Sequence, residues 1–480
     1  MNRSKRRIGV ATGAAAVSAI AAAAAFGHAK TGPSSSQSPY VVRAQPGVTT
    51  KAILTVGDAA GNGYRMVGIP DGLGAYDSGH GTFTILMNHE LRENVGAVRE
   101  HGARGAFVSQ WTIRKGSLQA VAGKDLIEQV ATWNAAAGAY DAPRKGVAIS
   151  RLCSGDLPDL TAFLHEGTGY GGRIFLSGEE SGAEGRAFGH VATGPEAGTS
   201  YELPHLGRYS WENAVANPAT GPATVVVGTD DTTPGEVYVY RGAKRAIGNA
   251  VERAGLVGGT LGGIRVAGFP SEPADTGIPS GTPFSLADHG DVAAKSGATL
   301  QSESTAQGVT KFLRPEDGHW DPRDPSRFYF VTTASFTGKS RLWRLNFADP
   351  ANPAAGGTID MLLEGDEGQR MMDNITVDDR GGVLIQEDPG SNPYLAKIRR
   401  YDIASDTLST VAEHDPERFD PAQASPLLTQ DEESSGIVDV SAIMGSGWYL
   451  GDVQAHYPHP DPEMVEGGQL FALHVPPGRR

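Results

Sequence analysis

The chain has 480 residues, a formal net charge of -14, one cysteine and 64 glycines spread along its length. That length can bury a large core, and the glycines suit many tight turns between short strands. The acidic balance excludes DNA and RNA as partners and suits cation binding, while a single cysteine excludes an intrachain disulfide.

The N-terminus reads as an export signal. Residues 2–7 are basic, residues 8–26 form an Ala-rich apolar run, and Gly27-His28-Ala29 is a small-x-small cleavage site. Residues 1–29 are therefore expected to be a signal peptide, with Lys30 the first mature residue and no stable membrane span remaining. The Arg6-Arg7 pair is a feature of twin-arginine export, which carries folded, metal-loaded proteins, although Gly9 and Val10 depart from the usual residues after the pair. A secreted or periplasmic location follows as an expectation. Residues 30–45 are rich in Ser and Pro and are expected to form a disordered lead-in to a single domain over 46–480.

From Tyr40 onward short β segments alternate with Gly/Pro/Asp turns. Two helices are expected: residues 124–137, with Leu126, Ile127, Val130 and Trp133 at helical spacing, and residues 157–165, capped by Asp156 with Pro158 in the first turn. A larger pattern then repeats. An apolar strand runs into polar residues, and a second strand follows a loop. The first strands are 82–87, 173–176, 224–227, 327–331, 383–385 and 448–450. The second strands are 106–108, 187–191, 236–240, 341–345, 396–401 and 469–474. Two feeder turns, 320–325 and 377–382, resemble each other. Six such units predict an all-β fold, a β-propeller of about six blades with loop and helical insertions.

In a propeller the same strand end in every blade opens onto one mouth of the central channel. Acidic clusters far apart in sequence would meet there, and crowded carboxylates call for cations among them. The Gly-rich insertions 255–263 and 277–290 are expected to form flaps over or beside that mouth. The densest stretch is Phe312 to Pro322, which holds Arg314, Glu316, Asp317 and His319. Pro315 and Gly318 bracket its carboxylates, so it reads as a loop whose acids suit hard metal ions and whose arginine suits phosphate. Pattern alone adds Glu433, Asp452, Gln454 and His456 as candidates.

Several segments together resemble the PhoX family of secreted bacterial phosphatases. They are Asn88-His89-Glu90, Cys153-Ser154-Gly155, Gly178-Glu179-Glu180, Arg314 to Gly318 with Trp320-Asp321-Pro322, Asp373-Asn374-Ile375 and Glu387-Asp388. The resemblance implies a propeller phosphomonoesterase with iron and calcium at the channel mouth. It implies Cys153 as a thiolate ligand to iron, and Glu179, Glu316, Asp373 and Glu387 as carboxylate ligands to Fe3+ or Ca2+. Glu180, Asp317, Asn374 and Asp388 would stand beside them. Arg314 would hold substrate phosphate, with Asn88 and His89 assisting. The chain departs from the family pattern at Gly178, where that pattern has a cysteine, in an insertion over 157–172, and in its C-terminal third. The expected ligands are small phosphorylated substrates, bound by a monomer. Two other readings remain at this point: a calcium-dependent lactonase or esterase, and a non-catalytic propeller stabilised by calcium.

Overall fold

The computed structural model describes residues 29–477. Apart from Ala29, the expected signal peptide lies outside the described residues. Among those residues no helix is long and apolar enough to cross a membrane. The fold is a six-bladed β-propeller. The innermost strands of blades 1 to 6 are Pro70–Gly79, Leu152–Asp156, Trp211–Ala216, Pro315–Trp320, Met372–Val377 and Glu432–Asp439. Each packs against the next, and the sixth packs against the first, so the ring closes.

The second strands are Thr82–His89, Ile174–Glu179, Ala223–Asp230, Arg327–Thr332, Gly382–Glu387 and Trp448–Pro458. These and the third strands beside them are the twelve strands of the six-unit repeat. The sequence repeat missed the innermost strands, which are buried and lack a clean apolar run. Blades 3 and 4 share one nine-stranded sheet, because Thr282–Gly290 pairs with the outer strand Gly357–Leu363. The Gly-rich insertions therefore extend the outer edge of blade 3 rather than forming flaps at the mouth.

N-terminal residues close the ring. Thr49–Thr55 is the outer strand of blade 6, paired antiparallel with Glu466–His474. The segment expected to be a disordered lead-in is ordered as well. Ala29–Thr31 adds a parallel strand to blade 6, and Val41–Arg43 pairs with Thr407–His414 of blade 5. Open sheet edges carry unpaired backbone groups, and this segment covers two of them. Gln469 fastens it: its Oε1 accepts from Tyr40 N at 2.6 Å, and its Nε2 donates to Ser38 O at 3.1 Å.

Neither expected helix forms as read. Residues 124–137 fall into the strands Ala120–Asp125, Gln129–Ala131 and Trp133–Asn134. Leu126, Ile127 and Val130 are buried between blades 1 and 2, so a turn and a strand satisfied the apolar spacing that resembled a helix. Residues 157–165 keep one 3-10 turn, Leu160–Ala162, and Asp156 accepts from Ala216 N at 2.8 Å instead of capping it. The longest helix among the described residues, Gly297–Gln307, was not expected; Ser296 caps it by accepting from Thr299 N.

Gln469→Leu leaves the buried backbone N–H of Tyr40 without a partner and frees the exposed carbonyl of Ser38. It is expected to lower the unfolding free energy by about 1–3 kcal/mol, read as an earlier urea midpoint. An unchanged midpoint would show that the strap contributes nothing.

Candidate metal centre

The second residue of every innermost strand faces the channel at one mouth. These six are Asp71, Cys153, Glu212, Glu316, Asp373 and Glu433. In blades 1 to 5 the strand pairing slips around this residue, between Pro70/Leu73, Leu152/Gly155, Trp211/Ala214, Pro315/Gly318 and Met372/Ile375; in blade 6 it slips two residues later, between Ser434/Ile437, so Ser435 takes the place within the slip and Glu433 precedes it. A bulge at a fixed place re-aims the same side chain in five blades, while Glu433 of blade 6 reaches the mouth from a regularly paired position. The stretch around Glu316 is thus a bulged strand, not the loop expected from Pro315 and Gly318.

A second tier comes from the residue just past each second strand. It supplies Glu90, Glu180, Asp231 and Asp388. Two trios bring their ligand atoms within 4.8 Å of one another: Asp71, Glu90 and Cys153 from blades 1 and 2, and Glu212, Asp231 and Glu316 from blades 3 and 4. The two trios occupy equivalent places in alternate blades. Each has an arginine two residues before an innermost-strand member. Arg151 Nη2 lies 2.7 Å from Glu90 Oε1 and also reaches Glu180. Arg314 Nε lies 2.7 Å from Asp231 Oδ1 and 2.8 Å from Glu316 Oε1. Both arginines hold positive φ, 44° and 65°, a conformation costly for a side-chain-bearing residue and typical of functional sites.

Burial and mutual repulsion raise the acids. Burial, then Glu90, lifts Asp71; burial, then Asp71, lifts the Cys153 thiol. Burial, then Asp231, raises Glu212 to about 8, and burial, then Glu433, raises Asp388 to about 7. Burial, then Glu90 and Asp231, raises Glu180 to about 10. Asp373 rises through burial, then Glu212 and Asp388. Glu433 goes the other way, because His456 beside it outweighs the effect of burial. His456, held between Glu433 and Glu466, is raised to about 11 and is cationic at neutral pH.

The strand alternation corrects the expected ligand set. Glu179 ends its strand facing the blade interior, where Arg186 grips it at 2.6 and 2.7 Å and Ser150 N donates at 2.9 Å. Glu387 does the same: it accepts from Arg370 N, Tyr394 Oη, Lys397 N and Arg399 Nε. With their oxygens occupied, both are structural, and their neighbours Glu180 and Asp388 face the mouth. Asp317 lies below the ring and accepts from Asn213 Nδ2 at 2.6 Å, Ile375 N at 3.0 Å and Gly318 N at 2.6 Å. Asn374 donates across the channel to Ser154 Oγ at 2.7 Å, and Ser154 in turn donates to Glu212. Asp317 and Asn374 thus build a floor under the ring.

The two expected assistants also move. Asn88 donates to Cys153 O at 2.6 Å and holds the thiol's strand rather than meeting substrate. His89 turns into the core of blade 1. Its ring stacks on Phe107 at 4.3 Å, Nε2 lies 2.8 Å from Ser109 Oγ, and burial lowers it to about 3. Gly178 cannot hold a side chain, because a Cβ there would lie 2.3 Å from Trp211 Cβ. Of the pattern-only residues, Gln454 reaches the mouth, donating to Asp71 Oδ2 and Glu90 Oε2, both at 3.0 Å. Asp452 is fully buried behind it.

Sequence reasoning passed over Asp71 and Glu212, and met Glu90 and Asp231 at polar strand ends without selecting them. A signal was there: Trp211-Glu212-Asn213-Ala214 matches Pro315-Glu316-Asp317-Gly318 and Met372-Asp373-Asn374-Ile375 position for position.

The donor sets fit metal ions. Glu212, Asp231 and Glu316 offer oxygen alone, as calcium prefers, while Cys153 adds a soft thiolate to Asp71 and Glu90, as a transition metal prefers. Glu316 Oε1 has no hydrogen-bond donor aligned on it despite its burial.

No protein-family model matches the sequence, and no curated protein matches it. Among solved structures, Pseudomonas fluorescens PhoX in complex with vanadate, a transition state analogue, superposes with a TM-score of 0.66 at 13% identity, over 92% of this chain and 97% of that one. Chaetomium thermophilum Sqt1 bound to the N-terminus of the ribosomal protein L10 has a TM-score of 0.35 at 9% identity, over 81% and 93%. A Synechocystis apocarotenoid oxygenase mutant has 0.35 at 11%, over 86% and 88%. The first likeness establishes a PhoX-like propeller fold.

Two outcomes are expected. Carboxyls raised in the folded state stabilise it while protonated, and that stability is lost as pH rises through the folded values, here about 7 to 10 for Asp388, Glu212 and Glu180. Chelator-treated protein should therefore melt progressively lower from pH 6 to pH 10, and added calcium should reverse the loss; a flat profile would mean the acids are not in conflict. Glu180→Gln should weaken metal binding about tenfold or more, whereas Glu387→Gln should lower the melting temperature and leave metal content unchanged, by elemental analysis.

Proposed function

We propose that this protein is an exported, metal-dependent phosphomonoesterase that releases phosphate from small organic phosphate esters. One observation carries the reading: two equivalent acidic trios, each with an arginine at its edge, share one mouth of a PhoX-like propeller. Asp71, Glu90 and Cys153 would hold an iron ion, and Glu212, Asp231 and Glu316 a calcium ion. Glu180, Asp373, Asp388 and Glu433 would contribute further oxygen donors. When bound, such cations neutralise phosphate oxygens and lower the pKa of water.

The chain's own groups do the rest. Arg314 and Arg151 face the mouth from alternate blades, each now paired to carboxylates. With those carboxylates serving as metal ligands, the guanidinium forks of Arg314 and Arg151 would be free to take phosphate oxygens and to offset charge that grows in the transition state. His456 keeps a positive charge at the rim across the neutral range. The floor of Asn374, Ser154, Asn213 and Asp317 closes the channel, so substrate and water enter from one side. No serine or cysteine nucleophile is required. The chemistry is hydrolysis by positioned charge, and the N-terminal segment would deliver the protein outside the cytoplasm.

Phosphate release from 4-nitrophenyl phosphate by metal-reconstituted protein tests the reading. Arg314→Ala and Glu316→Gln should each lower kcat/KM about 100-fold or more, with circular dichroism unchanged. Full activity in both variants, or hydrolysis of lactones but not of phosphate esters, would overturn it.

A further inference from the structure

The channel has a second mouth, on the face opposite the acidic ring. All six innermost strands end there and enclose a cavity of about 450 Å³. The floor described above separates it from the metal centre, since Asn374 and Ser154 meet across the channel at 2.7 Å and Asn213 meets Asp317 at 2.6 Å. A cavity of this size is in the range of small-molecule sites.

Its chemistry is specific. Asp77, Asp156, Asp159, Asp379 and Asp439 line it; Asp77 already holds Lys115 Nζ at 2.7 Å, and the one guanidinium among its walls, Arg173, is stacked over Tyr76 at 4.9 Å. Between the carboxylates the walls are apolar, with Leu157, Val215, Val438 and Ile443. Thr376 adds an observation of a different kind. It is 1% exposed, lines the cavity, and its Oγ1 has no hydrogen-bond partner. A buried hydroxyl without a partner is costly unless something in the cavity meets it.

We propose that this rear mouth binds a small organic amine, an alkylammonium or diamine, with its charged ends on Asp156 and Asp439 and its aliphatic body against the apolar walls. An inorganic cation fits worse. Among the described residues, the only groups of three or more acidic, His or Cys side chains whose ligand atoms converge within 4.8 Å are the two at the front mouth. The rear carboxylates are spread around the wall, which suits separated positive charges on one organic body. Burial holds the Asp156 carboxyl up at about 8, and an ammonium beside it would favour its ionised form.

Calorimetric titration of the full mature protein, in buffer saturated with calcium so that the front mouth is filled, decides the matter. The probes are 1,5-diaminopentane and its neutral counterpart 1,5-pentanediol. The diamine should bind with one-to-one stoichiometry and the diol should not. Asp439→Asn and Asp156→Asn, which keep an acceptor oxygen for Ser441 N and Ala216 N, should each weaken diamine binding about tenfold or more. Asp379→Asn, on an exposed turn, gives a third variant that the fold tolerates. Absence of diamine binding, equal binding by wild type and all three variants, or competition by calcium at this cavity would each overturn the proposal. Phosphatase activity is read separately, so failure here and failure of the front-mouth reading are distinguishable.

Discussion

Like charges held in one place by six converging strands are the constraint on which this structure depends. Asp71, Cys153, Glu212, Glu316 and Asp373 occupy the same position in five blades, and Glu433 of blade 6 joins them from two residues before that position. Ring closure forces them together whatever their mutual repulsion. Arg151, Arg314 and His456 offset part of the charge. The remainder shows in carboxyls raised far above their usual range, a state that bound cations would relieve. The repeated bulge makes this possible, because in five blades it turns the second residue of the inner strand into the channel while the strand continues into its sheet.

The same backbone sorts acids into two kinds. A residue that ends a second strand faces the blade, and the next one faces the mouth. Glu179 and Glu387 therefore find arginines and backbone N–H groups and serve as struts. Glu180 and Asp388, one residue on, find other carboxylates. The bulge sorts a second set: Glu316 reaches the ring, while Asp317 is satisfied by three donors beneath it. The floor that results divides one channel into two chambers of different character. Acids converge in the front chamber as metal ligands do, and stand apart in the rear one.

Much of the fold was legible in the residues. Twelve strands in six units announced the propeller, because second and third strands carry apolar runs bounded by turns. Acidic strand ends were legible as well, and so were Arg314, Cys153, Glu316 and Asp373. The innermost strands were not, since they face the channel and carry Gly, Asn, Ser and Asp where a sheet buried on both faces would carry Val and Ile. Residues 124–137 misled for a related reason: burial between blades supplied the apolar spacing that a helix would need.

Sequence by itself determined the second and third strands of each blade and that their polar ends belong together, because strand periodicity and turn chemistry are local. It could not decide which of two adjacent acids faces the channel, since that depends on where each strand ends and where each bulge falls. Ring closure also decided the partners: Asn374 with Ser154, Gln454 with Asp71 and Glu212 with Glu316 are each brought together across blades. Those contacts join residues far apart in the chain, and only the closed ring makes them neighbours.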